Sequence, residues 1–110
     1  MRFINGVCLV GALSLVGCAT TAIDSMNQGL SQAMGEPVSR LESALGQAVE
    51  VTVEGSNTRY RWFSESYIEP CNIEVVADSD GIVRKTAWSG YQGACEPFAA
   101  GLNRVFPAVN

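Results

Sequence analysis

Four cysteines, a single lysine and no histidine set the chemistry open to this chain of 110 residues. Without histidine, the Ser-His-Asp and Cys-His nucleophile arrangements are excluded. Ser–Lys chemistry would have to use Lys85, and no Ser-x-x-Lys precedes it. Carboxylates pair in sequence at Glu50/Glu54 and Glu65/Glu69, the raw material of acid–base or glycoside chemistry. Both pairs fall in stretches that read as wet, and a solvated face accounts for them. Asp78-Ser79-Asp80-Gly81 has the Asp-x-Asp-Gly opening of a calcium loop, but Ile82 and Ser89 stand where further ligands belong. The same four residues make a hairpin turn, and that is the reading adopted. No glycine-rich phosphate loop is present. The expectation is a protein that is not an enzyme and holds neither cofactor nor metal.

The cysteines differ by position. Arg2 supplies one positive charge, and an apolar run from Phe3 to Val16 follows. As a helix that run would extend roughly 20 Å, short of a bilayer core of about 30 Å, so it reads as a secretory signal over 1–17. Cys8 would leave with it. The run ends at Leu15-Val16-Gly17-Cys18, which resembles the bacterial lipobox. The resemblance implies a diacylglyceryl thioether on Cys18, cleavage between Gly17 and Cys18, and acylation (palmitate or a similar chain) of the new amino terminus. Two or more chains anchor stably where one is marginal. Ala19 rather than aspartate follows the cysteine. By the sorting rules of such lipoproteins this favours the periplasmic face of the outer membrane over the inner membrane.

Cleavage would leave 93 residues, enough for one small domain. The formal charge of the whole chain is −4, and loss of Arg2 makes it −5. Nucleic acid is therefore not an expected partner, and no polybasic run is available for anionic lipid. The membrane is expected as a partner through the acyl chains on Cys18. Cys71 and Cys95 remain in an oxidising compartment. A redox or metal role is the competing reading, but there is no Cys-x-x-Cys spacing and no histidine, so a structural disulfide is expected.

The elements that must position these groups follow from periodicity. Ala19 to Ser25 is small and polar, which makes 18–25 a tether and 26–110 the folded domain. Ile23, Met26, Leu30, Ala33 and Met34 recur at helical spacing, and Gly35 stops them. Pro37 is placed in the first turn of a second helix that carries Val38, Leu41, Ala44 and Leu45 on one face and ends at Gly46. The period then changes to two. Val49, Val51 and Val53 alternate with Glu50, Thr52 and Glu54, a strand with one wet face. With Gly55-Ser56-Asn57-Thr58 as the turn, Val53 would face Tyr60, Val51 would face Trp62, Glu54 would sit beside Arg59 and Thr52 beside Arg61. Ser64 to Pro70 reads as a loop. Cys71, Ile73, Val75 and Ala77 form one side of a third strand, and Ile82 to Ser89 form a fourth. A short helix is expected from Pro97 with Phe98, Leu102 and Val105 inward. The fold class is α+β: one or two amino-terminal helices on an antiparallel sheet of about four strands, plus a carboxy-terminal helix.

This order, with "GEPVSRLESALGQ", "RYRW" and "CNIEVVADSDGIV", resembles small envelope lipoproteins of the BamE (SmpA/OmlA) type over roughly residues 35 to 88. "GACEPF" at 93 to 98 matches only disulfide-bearing relatives of that group. Gln47-Ala48 replaces the usual x-Pro after the Leu-Gly, and a cysteine-bearing last helix is foreign to BamE itself. The resemblance implies the fold and a structural or protein-interaction role in outer-membrane assembly or maintenance, with an envelope protein as partner. A second reading is an inhibitor or small-ligand-binding lipoprotein, because lipid-anchored lysozyme inhibitors are also small, disulfide-bearing and rich in strand. "SGYQG" at 89 to 93 faintly echoes their Ser-Gly loop. Tyr60, Trp62 and Trp88 are assigned to the core by alternation. Tyr91, with Arg59 and Arg61, is the candidate interaction surface.

Overall fold

In the computed structural model, which describes residues 21–107, the chain runs through α1 (Ala22–Ala33), α2 (Val38–Leu45), β1 (Glu50–Glu54), β2 (Asn57–Ser64), β3 (Cys71–Ala77), β4 (Val83–Ser89) and α3 (Gln92–Val105). This is the expected α+β class. The signal segment, the Gly17–Cys18 cleavage point and the Cys18 acylation site lie outside the described residues.

Helix α1 begins at Ala22, four positions before the expected domain start, so residues 22–25 are helix rather than tether. Thr21 is the reason: its Oγ1 accepts the Asp24 N–H at 3.1 Å and satisfies one of the free donors of the first turn. Met26, Leu30 and Ala33 are buried, while Ile23 and Met34 face outward. Helix α2 buries all four expected residues and stops at Gly46, whose φ of 85° admits glycine far more readily than any other residue. Pro37 precedes this helix as its cap instead of lying in its first turn.

Helix α3 starts at Gln92, five residues earlier than expected, and Pro97 sits inside it. Proline prefers a first turn. Here the burial of Ala94 and Cys95, which a helical turn delivers to the core, overrides that preference at the expense of one backbone hydrogen bond. Phe98 and Val105 are half-buried, and Leu102 and Phe106 are buried. Helix α3 packs on both other helices. A Cβ on Gly29 of α1 would come within 2.7 Å of Leu102 Cβ, and a Cβ on Gly101 would land on the Ala44 carbonyl oxygen.

The four strands form one antiparallel sheet in the order β1-β2-β3-β4. Alternation in β3 is complete: Cys71, Ile73, Val75 and Ala77 are buried under the helices. Trp62 is buried beside them, and its indole N–H donates to the Gly46 carbonyl at 2.8 Å, so its one polar atom is satisfied. Tyr60 stacks on Trp62 with ring centroids 6.1 Å apart. The disulfide between Cys71 and Cys95 is present, with Cα atoms 5.1 Å apart, and ties the start of β3 to α3.

The first hairpin differs from expectation by two residues. Val51 faces Tyr60, Thr52 faces Arg59, Val53 faces Thr58 and Glu54 faces Asn57, leaving only Gly55-Ser56 as the loop. Gly55 has φ 66°, and among the described residues no non-glycine has positive φ, which is the signature of a II′ turn with glycine first. A shift of two preserves which side chains share a face. Glu54 therefore still reaches Arg59, as a diagonal rather than a direct neighbour.

Candidate functional site

Arg59 and Arg61 are two apart on β2 and so share a face, the one turned away from Trp62 and the helices. Arg59 Nε and Nη2 each donate to Glu54 at 3.2 Å, and Nη1 donates to Glu74 at 2.9 Å. Arg61 Nε donates to Glu50 and Nη1 to Asn72 Oδ1, both at 2.9 Å. Hydrogen bonding to Glu54 in particular raises the Arg59 pKa above its already high ordinary value. Each guanidinium is thus engaged by neighbours of the same sheet face. Tyr91 is not among their partners; it caps the start of α3 beyond the end of β4. The expected three-residue surface is therefore two separate features, an arginine–glutamate lattice and a lone aromatic.

Asp78 serves the turn. Its Oδ1 accepts the N–H groups of Asp80 (2.9 Å) and Ile82 (3.0 Å), and Oδ2 accepts Arg84 Nε at 2.8 Å. The Ile82 N–H bond and then Arg84 hold this carboxyl below its usual value. Both oxygens are committed to folding the hairpin.

The two edges of the sheet are unlike. Along β4, the segment between α1 and α2 closes the hairpin end: Gly35 N–H donates to Val83 O, Val83 N–H to Glu36 O, and Val38 N–H to Gly81 O, each at 2.9 Å. Pro37 bridges Ile82 there. Farther along, Trp88 Nε1 donates to Asn27 of α1 at 3.0 Å. Along β1 nothing comparable covers the strand among the described residues. Val51 and Val53 share the helix-side face with Tyr60, yet they are 56 % and 73 % exposed because the helices stop short of β1. The expected pattern of one dry and one wet face is not met: every residue of β1 is exposed. In an antiparallel pair closed by a two-residue turn, Val51 and Val53 also direct their N–H and C=O groups outward.

A groove of about 450 Å³ opens at the other end of β2, lined by Glu65, Ser66 and Tyr67 of the loop and by Gly93 and Ala94 of α3. Tyr67 is fully exposed and Ile68 is 71 % exposed. The stretch 89 to 93 runs from the last residue of β4 directly into α3, so it is not a protruding Ser-Gly loop. No family model, curated protein or solved structure matches this chain.

Sequence reasoning missed the exposed β1 valines and the Tyr67-Ile68 pair. For the valines the pattern of alternation is real and only the coverage is lacking, which no local signal reports. For Tyr67-Ile68 a signal exists: two adjacent large apolar residues in a loop otherwise made of Ser, Glu and Pro.

Proposed function

We propose that this chain is a lipid-anchored protein of the periplasmic face of the outer membrane, held by acyl chains on Cys18, with a protein-interaction role in envelope assembly or maintenance. The observation that carries the reading is the uncovered β1 edge. An apolar strand edge with outward-facing backbone groups is a template for strand addition, and natural proteins cover or charge such edges unless a partner uses them. The β4 edge is capped at its hairpin end by the Gly35–Val38 segment, and the β1 edge has no such cap among the described residues. On the far side of β1, Glu50 and Glu54 are already paired with Arg61 and Arg59, so the fitting partner is an envelope protein presenting an extended segment whose apolar residues meet Val51 and Val53. The lipobox supports the location, because a tether in the membrane plane raises the effective concentration of the domain beside a membrane protein.

Site-specific photocross-linking in intact cells tests it. A cross-linking side chain at Val53 is expected to trap one discrete envelope protein, a Val51→Lys change to abolish the adduct, and a cross-linker at the exposed Glu42 of α2 to give none. Equal trapping from positions 53 and 42, or none from either, sinks the proposal.

A further inference from the structure

Four large apolar residues outside β1 are exposed at one end of the molecule, and the structure assigns to them a common place. The loop 65–70 lies against the start of α3, since Glu65, Ser66 and Tyr67 line a groove with Gly93 and Ala94. The β4–α3 connection crosses the same spot: Gly90 is so close to Pro70 and Cys71 that a Cβ there would meet Cys71 Cα at 2.7 Å. Helices α1 and α3 start at this end together. Ala22 and Ser25 of α1 line a depression with Glu96, Ala99, Ala100 and Asn103 of α3, whereas Gln32 near the end of α1 reaches Pro107 just past α3. Ile23 and Tyr91, 44 % and 43 % exposed, therefore join Tyr67 and Ile68 on the end that also carries Thr21.

We infer that this end rests on the bilayer, with Tyr67 and Ile68 set into the headgroup region of zwitterionic lipid as a second contact beside the acyl chains. The inference rests on the anchoring of Cys18 proposed above. Two residues, Ala19 and Thr20, separate Cys18 from Thr21, and the three residue steps between them span at most about 11 Å. The acyl attachment thus brings this end, and no other, within headgroup distance of the membrane. The composition of the end fits an interfacial contact, since tyrosine places an apolar ring and a polar tip across the boundary between chain and headgroup. Its charge selects the lipid. Asp24, Glu65, Glu69 and Glu96 lie in the segments 21–27, 65–70 and 91–96, which contain no lysine or arginine. An anionic surface would repel these carboxylates, while the ammonium of phosphatidylethanolamine attracts them.

The test uses the full chain, purified after acylation and reconstituted in vesicles of phosphatidylethanolamine and phosphatidylcholine whose acyl chains are brominated near the glycerol end. Tryptophan is introduced as Ile68→Trp or, at the opposite end of the sheet, as Val53→Trp. Bromine quenching of the added fluorescence is expected to be about twofold or more greater at 68 than at 53, and to fall when half the lipid is phosphatidylglycerol. On the unsubstituted chain, vesicle attachment is expected to slow hydrogen exchange of the 66–69 amides and leave the 55–57 turn unchanged. The mass of the same sample reports acylation. An acylated chain with equal quenching at both positions and no protection at 66–69 overturns the membrane contact alone. Protection of 66–69 only after adding a protein from the envelope overturns it in favour of a protein partner. An unmodified Cys18 in cell-derived protein overturns the anchoring and the contact together.

Discussion

Gly101 and Gly93 belong to the same helix and lead to opposite expectations. At Gly101 an added methyl collides with the Ala44 carbonyl, a backbone atom of α2 that cannot swing aside. Gly101→Ala should therefore cost about 1–3 kcal/mol through overpacking, read as a lower urea midpoint. At Gly93 the nearest atoms to the methyl belong to the ring of Tyr91, a partly exposed side chain rather than backbone. Gly93→Ala should be neutral or stabilise by up to about 1 kcal/mol, the helical preference of alanine over glycine. Asp78 supplies a pH dependence at the same scale. Its folded pKa is depressed below the ordinary value of 3.8, chiefly by the Ile82 N–H. Its contribution to stability is thus fully present above about pH 4 and is lost as pH falls through the lower folded value. The difference in urea midpoint between the parent and Asp78→Asn should shrink as pH is lowered from about 5 toward 2.

Among the elements, those defined by their own periodicity were legible and those defined by neighbours were not. Strand β3 and helix α2 bury the residues that their patterns single out, because a period of 2 or 3.6 against a core leaves one choice of face. The ends of elements were harder. The Thr21-x-x-Asp24 cap was in the sequence but lay hidden in a run of small residues, and Gly55-Ser56 is itself a two-residue turn signal that the longer Gly-Ser-Asn-Thr stretch masked. Pro97 misplaced the start of α3 because long-range burial of Cys95 outweighed a local preference. The cross-link that follows from this burial carries its own expectation. Replacing both Cys71 and Cys95 with alanine frees a loop of about 25 residues and should lower unfolding free energy by roughly 3 kcal/mol in urea titration. It should also loosen the groove between the 65–70 loop and α3.

For the whole molecule, the arrangement of layers decides what is exposed, and sequence patterns say little about that. Alternation in β1 is as regular as in β3, yet β3 lies in the core shared with the three helices and β1 contributes nothing to it among the described residues. Arg59 and Arg61 were legible as charges on one face but not as charges already matched, since Glu74 comes from a strand 15 positions away. Their ion pairs are exposed and screened by water, so they shape the surface more than they hold the fold. The Gly35–Pro37 segment laid along the hairpin end of β4 has a larger effect. With Gly35–Val38 occupying that end of β4, the β1 edge of one copy cannot lie along the full β4 edge of another, so head-to-tail stacking of copies of this chain is obstructed. The domain alone should therefore not propagate into a fibre, which sedimentation over rising concentration would reveal as a fixed mass.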